Sequence, residues 1–143
     1  MRDGLSKLKQ YGFGKVGKWE LQKNRSGREE IKPKLDSSSK LLGERVIYAY
    51  VMGRQVKYIG ICQGKNTTLK ARLGSHRWRE RRDVTSVKSL RDGLKKGQRI
   101  TIYAWKPREE RIYRWLSVDL IKGLESPLIH RFRTRENGWN KQT

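Results

Sequence analysis

Residues 46–60, Val-Ile-Tyr-Ala-Tyr-Val-Met-Gly-Arg-Gln-Val-Lys-Tyr-Ile-Gly, constrain the fold more than any other stretch. Two runs rich in β-branched and aromatic residues flank Gly53-Arg54, and glycine between such runs is a hairpin signal. Side chains alternate in face along a strand, so Tyr48 and Tyr50 share one face. Whether Tyr58 meets Tyr48 across the ladder depends on register, which the sequence leaves open. On periodicity alone the stretch is equally an ordinary apolar hairpin.

The flanking chain supplies further elements. Upstream, Trp19-Glu20-Leu21 and Ile31-Lys32-Pro33-Lys34-Leu35 bracket the turn-like Asn24-Arg25-Ser26-Gly27 and suggest a hairpin or arm. Ser37-Ser38-Ser39 reads as a short loop. Downstream, Asn66 or Thr67 could cap a helix carrying Leu69, Arg72, Leu73 and His76. Thr85–Lys96 predicts a second helix stopped by Gly97. Arg99–Trp105 alternates as a third strand. Pro107 is expected to open a helix burying Ile112, Trp115, Leu116, Leu120, Ile121 and Leu124. Ser126-Pro127 is expected to start a last short helix. The order predicts an α+β fold, a small antiparallel three-stranded sheet flanked by helices. Residues 1–45 would form a basic N-terminal arm or hairpin, and 46–143 the main domain.

Charge narrows the function. Lys and Arg number 35 against 14 Asp and Glu, a net +21 over 143 residues, and such an excess calls for a polyanionic partner. Nucleic acid is favoured over an anionic membrane surface. No run of about twenty apolar residues exists and the N-terminus lacks an apolar signal region, so a soluble, intracellular protein is expected. Cys62 is the only cysteine, which excludes a disulfide framework and a Cys-based zinc site.

A segment ending in Ile47-Tyr48, then Tyr58-Ile59-Gly60 ten residues on, resembles the signature of the GIY-YIG endonuclease family. Val46 stands where the family has its first glycine. The resemblance covers about residues 45–143 and is closest to phage-type endonuclease II and small type II restriction enzymes. It implies a metal-dependent DNA endonuclease in a cytoplasmic, bacterial or phage-encoded setting.

The resemblance also implies roles. Arg72 would contact the scissile phosphate, its planar fork stabilising charge on the phosphoryl oxygens. His76, four residues on and on the same helical face, could accept a proton directly or through Tyr48. Tyr48 would activate water, with Arg72 and the metal favouring its phenolate, and Tyr58 would position phosphate or water. Glu125, in Glu-Ser-Pro-Leu-Ile, resembles the metal-binding glutamate and would hold Mg²⁺, which can use one carboxylate and keep several waters. An asparagine about a dozen residues later completes the set. By spacing it is Asn137; by its Trp-Asn context it is Asn140, which is favoured.

The run from Lys70 to Arg82 carries six Lys or Arg against one Glu. Lys70, Arg77, Arg79, Arg81 and Arg82 are candidate phosphate contacts, which fix affinity without reading sequence. Lys88 has a family precedent as a second phosphate-binding cation, although an exposed helical lysine explains it as well. The alternative function is a non-catalytic basic nucleic-acid-binding protein. It accounts for the charge but not for Tyr, Tyr, Arg, His, Glu and Asn arriving in family order. The motif set occurs once, so cutting both strands of double-stranded DNA implies a homo-oligomer, dimer or tetramer. Because the chain runs only three residues past Asn140, a restriction or phage-type enzyme is expected rather than one with an appended binding domain.

Overall fold

The computed structural model describes residues 3–23, 25–62, 68–74, 85–107 and 111–140. Its centre is the expected hairpin: β3 (Val46–Met52) and β4 (Gln55–Cys62) pair antiparallel around a two-residue turn. Gly53 takes the first turn position with φ +64°, where tight hairpin turns of the primed type take glycine. The register sets Tyr48 opposite Gly60 and Tyr50 opposite Tyr58. It then slips, because Val51 pairs with Val56 and leaves Lys57 as an extra residue on β4. This bulge turns the Lys57 backbone outward.

The sheet has five strands rather than three. β1 (Gly14–Lys23) and β2 (Glu29–Leu35) form the N-terminal hairpin, and β1 joins β5 (Ile100–Trp105), giving the antiparallel order β2-β1-β5-β3-β4. Gly17 lies so close to the Lys34 carbonyl and Leu35 that a Cβ would collide with both.

Both faces of the sheet are covered, which is why β3 is buried along nearly its whole length. One face carries Val46, Tyr48, Tyr50, Ile100 and Ile102 against Leu69 and Leu73 of α2 (Leu69–Gly74) and Val87 and Leu90 of α3 (Thr85–Lys95). The other carries Ile47, Ala49, Val51 and Ile59 against Leu5 and Leu8 of α1 (Gly4–Tyr11) and Ile121, Leu128 and Ile129 of α4 (Leu120–Phe132). Among the described residues no helix is long and apolar enough to cross a membrane.

Two sequence expectations are corrected. The helix expected from Pro107 to Leu124 is instead a separate hairpin, β6 (Arg111–Tyr113) and β7 (Leu116–Val118), turning at Arg114-Trp115. Trp115, expected to be buried, is 96% exposed and Leu116 68% exposed. The second correction is that the last helix starts at Leu120, not at Ser126. The Asp119 carboxylate caps it, accepting from the amides of Ile121 and Lys122 at 3.0 and 3.4 Å, and Pro127 lies inside it. Proline removes the bond to the Gly123 carbonyl, but both residues are exposed, so water can satisfy that oxygen.

Candidate active site

The site builds on the alternation of β3 and the register of the hairpin. Tyr48, Tyr50 and Tyr58 share one face and form a cluster of rings. Tyr50 and Tyr58 stack at 5.0 Å, while Tyr48 lies 5.7 Å from Tyr50 and 6.0 Å from Tyr58. Gly60 makes room for this. A Cβ there would lie 2.5 Å from Cζ and 2.6 Å from the hydroxyl oxygen of Tyr48. The glycine is needed because an aromatic ring lies across it, not because the chain turns there.

Arg72 comes to these tyrosines from α2. Thr68 starts that helix, its hydroxyl accepting from the Ala71 amide at 3.3 Å. The Arg72 guanidinium is half-buried and bears electrostatically on Tyr48, Tyr50, Tyr58, Cys62 and Glu125. Burial nonetheless dominates the phenols. It pushes Tyr48 well above the usual phenol value of 10, a shift that Arg72 opposes without cancelling. Tyr58 is raised less. Burial also pushes the Cys62 thiol up to about 11. The Tyr48 hydroxyl and Arg72 Nε are buried and make no hydrogen bond of good geometry among the described residues. A buried polar atom left wholly without a partner costs about 1–3 kcal/mol, and here the Tyr48 phenol interacts with both the Tyr58 hydroxyl and the Arg72 guanidinium.

Glu125 approaches from the other layer. It stands four residues after Ile121 and four before Ile129, on the stripe by which α4 packs against the sheet. Half-buried there, its carboxyl is raised above the usual value by desolvation and drawn back by Arg72 and Arg135. Its charge also reaches Tyr58. The groups thus converge at the β4 edge of the sheet, Arg72 from the helix on one face and Glu125 from the helix on the other. Glu125 lies in the helix interior, away from the N-terminal turn where the helix dipole would favour a carboxylate.

The two candidate asparagines separate clearly. Asn140 accepts from the Ile59 amide and donates to the Ile59 carbonyl, both at 2.9 Å. Its side chain therefore acts as a peptide group on the open edge of β4, between Tyr58 and Gly60. The Trp139 amide bonds the bulged Lys57 carbonyl at 2.6 Å, and Gly138 passes so close to that oxygen that a Cβ would collide with it. Asn137 is exposed, and its carbonyl accepts from Lys57 Nζ at 3.2 Å.

Tyr48, Tyr58, Arg72 and Glu125 are therefore brought together, with Asn140 fixing the strand beneath them. Lys70 and Lys88 are exposed on α2 and α3. His76, Arg77, Arg79, Arg81 and Arg82 lie outside the described residues. Sequence reasoning missed Arg135, which faces Glu125 from irregular chain beyond α4, where no periodic signal exists. It also gave Tyr50 no part in the cluster, although its alternation with Tyr48 was visible.

No protein-family model and no curated protein matches the sequence. Among solved structures, a glutamate-to-alanine mutant of bacteriophage T4 EndoII superposes with a TM-score of 0.64 and 22% identity, covering 96% of this chain and 99% of the other. Restriction endonuclease HPY188I in complex with product DNA gives a TM-score of 0.46 and 18% identity, covering 96% and 84%. The chain shares the fold of T4 EndoII along almost its whole length.

Proposed function

We propose that the protein is a DNA endonuclease of the GIY-YIG type, hydrolysing phosphodiester bonds of double-stranded DNA with a single Mg²⁺. One observation carries the reading. A single half-buried guanidinium, Arg72, bears at once on the two motif tyrosines and on the Glu125 carboxylate, although these come from three different elements. The fold likeness to T4 EndoII and the +21 charge support it.

In this reading Arg72 holds the scissile phosphate and stabilises the charge that gathers on its oxygens. Tyr58 positions the phosphate. Burial supports a narrower role for Tyr48 than the sequence suggested, because a phenol held neutral orients water as a hydrogen-bond donor and is a poor base. His76 is then the proposed proton acceptor, imidazole being the side chain whose ordinary pKa lies nearest neutrality. Glu125 suits a hard divalent cation, since a carboxylate partly withdrawn from water gains from a cation in place of its proton. When bound, such an ion supplies Lewis-acid stabilisation of the phosphoryl group. A two-fold homo-oligomer would present one site to each antiparallel strand.

The test is incubation of the purified protein with plasmid DNA, with and without Mg²⁺, followed by end-mapping. Wild type should cut only with Mg²⁺, while Glu125→Ala should bind DNA without cutting. Binding with no Mg²⁺-dependent cleavage by wild type would point to the non-catalytic alternative.

A further inference from the structure

The β6–β7 hairpin plays no part in the chemistry above. Its eight residues, Arg-Ile-Tyr-Arg-Trp-Leu-Ser-Val, include two arginines and no acid. It forms its own two-stranded sheet, apart from the five-stranded one. At its tip Arg114 and Trp115 have φ of +49° and +70°. Such turns require positive φ at both central residues and normally use Asn-Gly, so a bulky pair here is unusual. Trp115 is 96% exposed, and Leu116 and Val118 add 68% and 37% exposed apolar side chains on the returning strand. A tip that is both cationic and aromatic matches the chemistry of nucleic acid, with phosphate for the guanidinium and base faces for the indole.

The position of the ribbon suits that partner. It runs directly into Asp119, the cap of α4, and Arg45 Nη2 holds that carboxylate at 2.7 Å. Six residues on stands Glu125, about 9 Å along the helix axis at 1.5 Å per residue. The ribbon therefore projects from the end of the element that carries the candidate metal-binding carboxylate. A two-stranded ribbon fits a DNA groove, and apolar side chains can wedge against base steps.

We propose that the Arg111–Val118 hairpin is a DNA-contacting finger that lies in a groove of the duplex substrate and places the Trp115 indole against a nucleobase beside the cleavage site. The assignment rests on the reading of the partner as double-stranded DNA. Aromatic stacking worth about 1–3 kcal/mol predicts an affinity loss of about 5- to 150-fold on removing the ring. Because the tip is exposed, substitution there should leave the fold intact, which a thermal melt checks.

The experiment measures duplex binding by anisotropy with Ca²⁺ in place of Mg²⁺, for wild type, Trp115→Phe and Trp115→Ala. Tryptophan fluorescence is recorded in parallel. Trp115→Ala should lose affinity within the stated range and Trp115→Phe should keep most of it. The quenching that wild type shows on binding should shrink in both variants. Wild-type affinity and quenching in Trp115→Ala would overturn the finger and leave the nuclease reading standing. A fall in oligomer mass of Trp115→Ala by light scattering without DNA, at unchanged affinity per site, would also overturn it by making the ribbon a protein contact. If wild type itself fails to bind duplex, the nuclease reading falls and the finger with it.

Discussion

Replacing Gly60 with alanine tests the geometry of the site most directly. The new methyl would sit 2.5 Å from Cζ of Tyr48 and 2.6 Å from its hydroxyl oxygen. Carbon atoms rest at about 3.5–4.0 Å, so the ring must retreat by roughly 1 Å. It has little room to do so, being fully buried with the Tyr50 and Tyr58 rings at 5.7 and 6.0 Å. Overpacking of this sort costs about 1–3 kcal/mol, or a fall in Tm of roughly 3–12 °C for a chain of this size. A 1 Å misplacement of a reacting group costs on the order of 10²-fold in rate, so cleavage should fall at least that far. The control is the same change in a Tyr48→Leu background, where the clash is gone. There alanine should be neutral or stabilising by about 0.5–1 kcal/mol, because glycine loses more entropy on folding. Thermal melts of the four proteins give the coupling energy. An equal loss in both backgrounds, or full activity in Gly60→Ala, would refute the claim that the glycine exists to receive the Tyr48 ring.

Tyr50→Phe should leave stability unchanged or slightly raised, since it deletes a buried hydroxyl with no partner among the described residues; Tyr48→Phe, which loses the hydroxyl that orients the water, should lower the cleavage rate by about 10²-fold. Asn140→Ala strips both side-chain bonds from the Ile59 backbone and should cost about 1–3 kcal/mol by chemical denaturation, with faster hydrogen exchange at Ile59. Burial raises the Glu125 carboxyl above its unfolded value of 4.5, so the native state holds that proton more tightly. The resulting stability is fully present below the unfolded value and is lost as pH rises through the folded one. Glu125→Gln should therefore melt above wild type at neutral pH in chelator, and the difference should close in acid.

The parts of the fold legible in the sequence are those set by neighbours in the chain. The β3–β4 hairpin, β5 and α3 each carry their own periodicity and stop signals, and the structure has them within a residue or so of expectation. The five-stranded sheet was not legible because β1 joins β5 through pairs such as Gly14 with Ala104, and no local pattern encodes that partnership. The error at 111–118 has another cause. Ile112, Leu116 and Leu120 recur every four residues, which fits a helix, and the turn between the strands lacks the glycine or asparagine that would mark it. Pro127 misled for a related reason. Proline favours the first turn of a helix, but an exposed proline late in a well-capped helix is also tolerated, and Asp119 was the stronger start signal.

The site was legible as an order of residues and not as a set of contacts. An open sheet must deal with the unpaired groups of its edge strand, and here that edge is β4, which carries Tyr58 and Gly60. A further strand would cover the edge but would also close off the approach to both residues. A single amide side chain resolves the conflict, satisfying the one residue, Ile59, that lies between them. The Lys57 bulge serves the same end, because the extra residue offers its carbonyl to Trp139 where Gly138 lets the backbone come close. The aromatic before Asn140 is thus part of the fastening, its indole buried in the Tyr48 layer of the core. An asparagine chosen for its sequence context belongs here through what it holds still.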